Sequence, residues 1–414
     1  MVANQKNSDL SADQHVPRNF LLQLLAQGLT KLGDALVDVK TILPWVMQSL
    51  EVPILLISAL IPLRESGSLL PQLWWTAFVK RQRQRKRVWI YGCIGQALAI
   101  FSMSVIVAFL NGLLAGTLLL LVLSGFSLAR SLCSIASKDV IGRTIPKTRR
   151  GKLSGWSASV AGLLTLLVGL LLWRNNENGR DVHVLILLVA SFLWIVAAAV
   201  YQLIFEPAEE SSDDSANTTS TALLWRDRNF RNFILVRTLL LSSALITPFY
   251  TILIQESSSQ RSQLGLLVMA SSLAAIASGP IWGKLADWSS RWVLIIAGII
   301  VAINGLLSVT INHNLETSFN LWLTLAFFFQ IFAYQGVRLG RKIYLVDMAE
   351  GDQRTDYVAL GNSLIGVMLL VCSLFGVVAQ FFSVAAVITL LSMMSLVAAL
   401  LALRLPEVEV LTDE

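Results

Sequence analysis

Long apolar runs alternate along the chain with short polar segments. An α-helix rises about 1.5 Å per residue, so about 20 mostly apolar residues cross the core of a bilayer. Twelve runs meet this length, and we number them spans 1 to 12. Their predicted bounds are 19–46, 52–72, 87–110, 112–135, 153–173, 182–205, 230–254, 262–284, 291–311, 319–340, 357–380 and 382–404. The pattern predicts an all-α polytopic membrane protein with twelve transmembrane helices.

Span 1 carries a stripe of polar side chains. They are Gln23, Gln27, Lys31, Asp34 and Asp38, with spacings of +4, +4, +3 and +4. At about 100° per residue, this spacing places all five within a stripe roughly 80° wide. Ionisable groups at bilayer depth are costly and usually face a bundle interior or a water-filled cavity. We therefore expect span 1 to line a pathway for a solute.

Composition excludes several classes of protein. The chain has 414 residues, of which 55% are hydrophobic and 14% charged, whereas soluble domains average about 25% charged residues. The net charge of +6 does not indicate nucleic-acid binding, because the basic residues cluster at the ends of apolar runs. Neither the three cysteines nor the three histidines have metal-ligand spacing. Since no P-loop, catalytic triad or zinc motif is present, we expect neither a cofactor nor enzymatic activity.

Loop charges predict the orientation. With the N-terminus inside, the inside segments hold 24 Lys and Arg residues and the outside loops hold 3. The positive-inside rule therefore places both termini in the cytoplasm. Short loops favour a bacterial inner membrane, and the basic cluster from Lys80 to Arg87 is expected to touch anionic lipid headgroups.

The acidic segment after span 6 divides the chain into five regions. We predict an N-terminal tail (1–18), a first bundle (19–205), an acidic linker (206–229), a second bundle (230–404) and a C-terminal tail (405–414). The segments after spans 4 and 10 share a motif, because Arg130 precedes Asp139, and Arg338 precedes Asp347, by nine residues. This match favours two parallel repeats of six spans.

These features resemble the major facilitator superfamily of secondary transporters. The resemblance is carried by the twelve spans, the acidic linker and the sequence GKLADWSSR between spans 8 and 9. In that loop Gly283, Asp287 and Arg291 match the family's G-x-x-x-D-x-x-G-R signature, and Ser290 replaces its second glycine. The resemblance implies two six-helix bundles around a central cavity. It also exposes a departure, because the loop between spans 2 and 3 lacks the Gly and Asp of the stronger signature copy.

Carboxylates near mid-bilayer are the candidates for proton coupling. These are Asp34, Asp38 and Glu65, since desolvation disfavours the charged form of a buried carboxylate. The alternative for Asp34 is a structural pair with Lys31. Arg64 needs a partner at this depth, and we expect it to pair with Asp34 or Glu65, or to bind an anionic group of the substrate. A pair that only holds spans 1 and 2 together is equally compatible.

Other polar residues are candidates for the cavity wall and the gate. The cavity candidates are Gln27, Lys31, Arg64, Arg237, Gln330, Tyr334 and Asn362. Gln330 and Asn362 are equally typical of interhelical hydrogen bonds. The candidates for a cytoplasmic gate are the pairs Arg130–Asp139 and Arg338–Asp347, together with Gly283, Asp287 and Arg291. The alternative for the basic members is topology signalling.

We therefore expect a secondary transporter of a small solute that works by alternating access, with H⁺ as the coupling ion. A uniporter fits if Asp34 is permanently paired. The alternative class is a non-transporting protein of the same fold, such as an assembly factor or receptor. The charged residues suit amphoteric, anionic or cationic solutes, and the direction of transport stays open. Nothing in the sequence requires an oligomer.

Overall fold

A computed structural model describes residues 2–72, 75, 78–79, 81–175, 179–206, 227–256, 263–314, 320–348 and 353–408. Regular structure in these ranges is entirely α-helical, as the apolar runs predict. The helices are α1 (Val2–Leu36), α2 (Ile42–Ser49), α3 (Ile54–Ser58), α4 (Leu60–Leu69), α5 (Arg85–Phe109), α6 (Gly112–Thr144), α7 (Lys147–Asn175), α8 (Arg180–Gln202), α9 (Arg228–Leu239), α10 (Ser242–Glu256), α11 (Gln263–Trp288), α12 (Ser290–Asn314), α13 (Asn320–Met348), α14 (Gln353–Cys372), α15 (Phe375–Phe381) and α16 (Val384–Ala402). Most of the predicted acidic linker, Lys80 of the basic cluster and most of the predicted C-terminal tail lie outside the described residues.

These helices account for the predicted spans. Spans 1, 2, 7 and 11 each consist of two helices, and the other eight consist of one. Within the described part of the chain, nine helical segments are long and apolar enough to cross a membrane. The remaining three are spans 1, 2 and 10, which carry most of the polar candidates. The all-α polytopic fold is therefore confirmed, and the least apolar spans are those expected at the cavity.

The first helix begins earlier than the predicted span. Helix α1 starts at Val2 and runs through the segment that we predicted to be a polar tail. This segment contains no glycine and its polar residues cost a helix little, whereas Pro17, which lies inside the helix, removes one backbone hydrogen bond. Hydropathy therefore marks where a helix enters the membrane, but it does not mark where the helix begins.

Asp38 interrupts span 1. Its Oδ2 atom accepts a hydrogen bond from the backbone N–H of Lys40 at 3.2 Å and another from the Thr41 hydroxyl at 3.2 Å. Short acidic side chains that bond to nearby backbone groups compete with the helical hydrogen bonds. Helix α1 consequently ends at Leu36 and α2 begins at Ile42.

Spans 2 and 7 are interrupted as well. Pro62 clashes in a continuous helix with the carbonyl four residues earlier, which belongs to Ser58, and α3 ends at that residue. In span 7, the hydroxyls of Ser242 and Ser243 each donate to a carbonyl three residues earlier at 2.7 Å. Spans 1 and 7 would be equivalent in the two parallel repeats that the sequence predicts. In membrane proteins built from such repeats, interrupted helices at equivalent positions commonly mark a binding site.

The two halves meet at the face opposite the chain termini. We call the side of the termini the terminal face and the other side the far face. At the far face the Thr251 hydroxyl donates to the backbone carbonyl of Lys40 at 2.9 Å. Helices α7 and α11 approach so closely that a Cβ atom on Gly265 would lie 2.7 Å from the carbonyl oxygen of Gly169.

Helices α4 and α14 extend this contact toward mid-depth, where the Ser66 hydroxyl donates to the Gly366 carbonyl at 2.8 Å. The ion pairs of the terminal face, Arg85–Asp139 and Arg291–Glu407, each join residues of one half. The structure therefore shows a state in which the far face is closed.

Candidate functional site

An ion network joins three helices of the first half. Arg64 on α4 places Nη2 3.0 Å from Oδ1 of Asp34 and Nη1 3.6 Å from Oδ1 of Asp38. Arg130 on α6 contacts the same oxygen of Asp34. The Arg64 side chain is 6% exposed, whereas the Asp34 side chain is 22% exposed. The structure confirms the expected Arg64–Asp34 pair and adds Arg130, which we had assigned to the gate.

Lys31 does not neutralise Asp34. Its Nζ atom donates to the Ser157 hydroxyl at 2.6 Å and to the Ser154 carbonyl at 3.1 Å, both on α7. The alternative of a structural Lys31–Asp34 pair is therefore wrong. A residue three positions earlier lies on the same helix face, but the long lysine chain reaches a neighbouring helix instead. Lys31 remains half-buried, with no carboxylate partner among the described residues.

Lys40 and Tyr334 connect the two halves. The Lys40 ammonium lies 4.4 Å from the centroid of the Tyr334 ring on α13, which is a cation–π distance. Glu65, beside Arg64 on α4, lies within electrostatic reach of Lys40 and Arg64. The predicted cavity residues Arg64, in the first half, and Tyr334, in the second, are thus linked through Lys40, which is within electrostatic reach of both and of Glu65.

Arg237 and Asn362 form a second polar pair. Arg237 lies in the last turn of α9, just before the break in span 7, and its Nη2 atom donates to Oδ1 of Asn362 at 2.9 Å. The residue is 6% exposed. Its Nε and Nη1 atoms are buried and have no hydrogen-bond partner within the described ranges. The structure brings these two predicted cavity residues together.

The two glutamines make hydrogen bonds within the bundles. Gln330 is fully buried and donates to the Ser243 carbonyl at 2.8 Å, beside the break in span 7. Gln27 donates to Gln23 at 3.2 Å, and Gln23 donates to the Tyr201 hydroxyl at 3.4 Å. For Gln330 this is the interhelical role that we weighed against the cavity. Gln27 remains half-exposed beside its neighbour.

Two gate pairings are wrong. We expected Arg130 to face Asp139 and Arg338 to face Asp347, on the view that the helices end near 135 and 340. Helices α6 and α13 instead continue to Thr144 and Met348. Nine residues along one helix separate two positions by about 14 Å, so neither pair can form. Arg130 reaches Asp34, and Asp139 pairs with Arg85 at 2.7 Å.

The signature loop contacts the C-terminal segment. Arg291 pairs with Glu407 at 2.6 Å and donates to the Leu405 carbonyl at 3.0 Å. The Ser289 hydroxyl donates to Glu407 at 2.8 Å. Asp287 is exposed, and a Cβ atom on Gly283 would have open space around it. Of the signature residues, Arg291 is therefore the one that the structure places in a charged contact.

The first half has an equivalent contact at the start of span 3. The Glu206 carboxylate accepts hydrogen bonds from the backbone N–H groups of Arg85 at 3.1 Å and Lys86 at 2.8 Å. Glu206 follows span 6, as Glu407 follows span 12. An acid after the last span of each half thus binds the start of that half's third helix, where the helix dipole favours negative charge. The first half therefore has this contact at the start of span 3, although it lacks the signature motif between spans 2 and 3.

Sequence reasoning missed Arg341. It lies on α13, and its charge acts on Arg237, Glu65 and Tyr334. A signal was present, because Gln330, Tyr334, Arg338 and Arg341 follow the same +4, +4, +3 spacing as the first four stripe residues of span 1. Spans 1 and 10 therefore carry matching polar stripes.

Comparisons with known proteins agree with this architecture. Residues 233–413 match a family model described as Major Facilitator Superfamily. A D-xylose-proton symporter has a TM-score of 0.71 at 12% identity, with 94% of this chain and 98% of that chain covered. The nucleoside transporter NupG has a TM-score of 0.71 at 13% identity, with 93% and 99% covered.

A POT family transporter in complex with 5-aminolevulinic acid has a TM-score of 0.70 at 10% identity, with 94% of this chain and 96% of that chain covered. Identities this low establish a shared fold only. A search of curated proteins returned no match.

Proposed function

We propose that the whole chain belongs to the major facilitator superfamily, whose family model matches residues 233–413, and that it is a secondary transporter that moves a small solute by alternating access. One observation carries the proposal. The ion network of Asp34, Arg64 and Arg130 lies within predicted spans 1, 2 and 4, in a protein whose halves are in contact at the far face. Charged groups at such depth are costly unless they serve a polar pathway.

The proposed cycle exchanges the contacts at the two faces. Opening of the far face requires Thr251 to release the Lys40 carbonyl and α7 to separate from α11 at Gly169 and Gly265. Closure of the terminal face requires new contacts between the halves there. Because Arg338 is exposed and Asp287 is exposed on that face, both are available for such contacts. We retain them, with Arg291, as gate residues in this proposal.

The proposal assigns proton coupling to the carboxylates of spans 1 and 2. Oδ1 of Asp34 is shared by two guanidinium groups, so protonation of Asp34 would release both Arg64 and Arg130. Charge-assisted bonds that form in one state and break in another are a common basis for switching. Asp38 and Glu65 would assist, since both lie within reach of Arg64.

The proposed setting is a bacterial inner membrane with both termini in the cytoplasm. In that orientation, the closed far face is periplasmic and the structure is an inward-facing state. The basic residues of the terminal face would contact anionic lipid headgroups. The contacts described here lie within one chain, and the proposal needs no second copy.

The test combines a binding screen with a flux assay. Purified protein is screened against a small-molecule library by thermal shift at pH 5.5 and pH 8, since a ligand at 100 times its Kd stabilises by about 2.7 kcal/mol. Hits are then tested for solute-driven proton flux in liposomes containing a trapped pH dye. We expect flux that is lost in Asp34→Asn and retained in the matched control Asp181→Asn, which changes an exposed acid at the start of α8. Binding without flux in intact liposomes would instead support a receptor.

A further inference from the structure

Acidic and basic side chains are divided unequally between the two halves. The three candidate carboxylates, Asp34, Asp38 and Glu65, all belong to spans 1 and 2. The second half has no Asp or Glu within its six predicted spans, which contain Arg237 and Arg338. Arg341 follows span 10 on α13, six residues before Asp347. The charged residues within the predicted spans of the second half are therefore all basic.

The three candidate carboxylates of the first half already have cationic neighbours. Asp34 contacts two guanidinium groups, and Asp38 contacts Arg64 as well as its own helix break. Glu65 lies within reach of Lys40 and Arg64. The largest interactions of these carboxylates are with cations of their own half, and of the second-half arginines Glu65 reaches Arg341 but not Arg237.

Arg237 is the clearest uncompensated cation. It is 94% buried, since its exposed fraction is 6%, and its Nε and Nη1 atoms lack hydrogen-bond partners in the part of the chain that the structure describes. Its single bond goes to the neutral amide oxygen of Asn362. A buried guanidinium without an anion is unfavourable, because neither water nor a carboxylate replaces its hydration.

The surroundings of Arg237 contain a glycine and a second arginine. A Cβ atom on Gly361 would lie 3.2 Å from Nη1, so a larger residue there would crowd one of the free nitrogens. The half-buried Arg341 acts electrostatically on Arg237 from α13, and it also acts on Glu65. Two guanidinium groups that repel each other, one of them buried without an acidic partner among the described residues, are the arrangement that a carboxylate or phosphate group would satisfy.

We propose that the transported solute is an organic anion, and that its carboxylate or phosphate group binds between Arg237 and Arg341 with the amide of Asn362 alongside. This inference rests on the proposed transport function and names its substrate class. Lys31 and Arg338, which influence each other across the cavity, add positive charge on the path from the terminal face. Bidentate contact with guanidinium groups gives such a site its selectivity for planar or tetrahedral anions.

The first experiment measures binding in an uncharged detergent. The probes are inorganic phosphate and three molecules with the same four-carbon chain: succinate, the neutral 1,4-butanediol and the cationic putrescine. Ionic strength is held constant with sodium chloride. We expect phosphate or succinate to raise Tm in a concentration-dependent manner, whereas butanediol and putrescine leave it unchanged.

Variants then locate the site. We expect Arg237→Gln and Arg341→Gln each to weaken the apparent affinity for the anion at least tenfold. The matched control Arg174→Gln removes an exposed arginine of α7 near the far face and should leave the affinity unchanged. Because Arg341 is only half-buried, Arg341→Gln should fold even if Arg237→Gln does not, and it then tests the site on its own. An equal Tm shift in both cavity variants and wild type, or no shift with either anion, overturns the proposal.

A ligand-free measurement separates binding from a structural role. If Arg237 has no counter-ion until an anion binds, Arg237→Met should raise Tm without any ligand, because the substitution removes an uncompensated buried charge. If its bond to Asn362 mainly holds α9 to α14, the same variant should lower Tm, and this result would count against the proposal.

Three further outcomes distinguish failure of the anion site from failure of the transport function. Stabilisation by phosphatidylglycerol but by neither soluble anion would assign the arginines to a lipid headgroup and overturn the solute proposal. If the anion binds to wild type and not to the cavity variants, but no solute crosses the liposome membrane, the anion site is supported and transport is refuted. Flux of an uncharged solute that Arg237→Gln leaves unchanged would retain transport and refute the anionic substrate.

Discussion

The guanidinium group of Arg64 lies 3.0 Å from the carboxylate of Asp34 and thereby joins α4 to α1 at the middle of the first half. The pair is asymmetric, because Arg64 is 6% exposed and Asp34 is 22% exposed. Asp34 also has a second cationic partner in Arg130, whereas the second ion pair that the described residues give Arg64 is with Asp38 at 3.6 Å. Each member of the pair should therefore respond differently to substitution.

Removal of Arg64 should abolish transport while the protein still inserts into the membrane. Arg64→Ala leaves Asp34 with Arg130 alone, and breaking a buried pair typically costs about 3–5 kcal/mol, of which the partial exposure of Asp34 recovers a share. Solute uptake by proteoliposomes and the amount of protein in the membrane fraction are the measurements. Arg174→Ala is the control, and unchanged uptake in Arg64→Ala would remove this residue from the mechanism.

The energy of the pair itself is measurable by a double-mutant cycle. We expect Arg64→Ala and Asp34→Ala together to cost less stability than the sum of the single changes, by about 1–3 kcal/mol, because each single change strands a charged group. Thermal unfolding in one detergent gives all four values. Additive effects would show that the two charges do not stabilise each other.

The two carboxylates of span 1 should differ in their effect on coupling. Asp34 is held by two guanidinium groups, whereas Asp38 contacts one of them at 3.6 Å. We expect Asp34→Asn to abolish the pH dependence of uptake and Asp38→Asn to reduce the uptake rate with its pH dependence retained. Initial rates between pH 5.5 and pH 8 test the difference. The reverse pattern would move proton coupling to Asp38.

Closure of the far face should depend on Gly265. A Cβ atom at this position would lie 2.7 Å from the Gly169 carbonyl, which is closer than real side chains approach a backbone oxygen. Gly265→Val should therefore separate α7 from α11 and populate a state that is open at the far face. Nitroxide labels at the exposed Leu114 and Leu321 should then move apart in pulsed-EPR distance measurements.

Gly125→Val is the matched control for this change, because a Cβ atom there meets nothing within 4 Å. It should leave the distance distribution of wild type unaltered. A distribution in Gly265→Val that is identical to wild type would mean that the helices tolerate the side chain without opening.

The contact between Glu407 and Arg291 should hold the C-terminal segment on the second half. Glu407→Gln removes the charge that Arg291 and the Ser289 hydroxyl bind. Because the Glu407 side chain is 43% exposed, the loss of stability should stay below about 1 kcal/mol. We expect faster hydrogen exchange confined to the end of α16 and the residues that follow. Glu256→Gln, outside this contact, is the control.

The sequence predicts the polar stripe of span 1 and the Arg64–Asp34 pair because both depend on helical spacing and on the cost of isolated charge. It does not predict the Arg130–Asp34 contact, since the packing of α6 against α1 involves positions 96 residues apart. The Arg338–Asp347 pairing fails for a simpler reason. Helix α13 continues past the membrane boundary, and a shared helix keeps the two residues apart.

The contact between Glu407 and Arg291 could not be predicted from the sequence either. The C-terminal segment is polar and short, and nothing in its composition indicates that one of its acids binds the start of α12. Arg341, in contrast, was accessible from spacing alone, because it continues a stripe that begins at Gln330. Periodicity within one helix is readable, whereas contacts between distant helices require the fold.

The break at Asp38 gives one carboxylate two tasks. The same group that accepts from the Lys40 N–H and the Thr41 hydroxyl is also the group that meets Arg64. Pro44 keeps α1 and α2 from joining into one helix, because it would clash with the Lys40 carbonyl. A proton or cation that captures the Asp38 carboxylate would therefore loosen the bend and change the angle between α1 and α2, while each helix keeps its length.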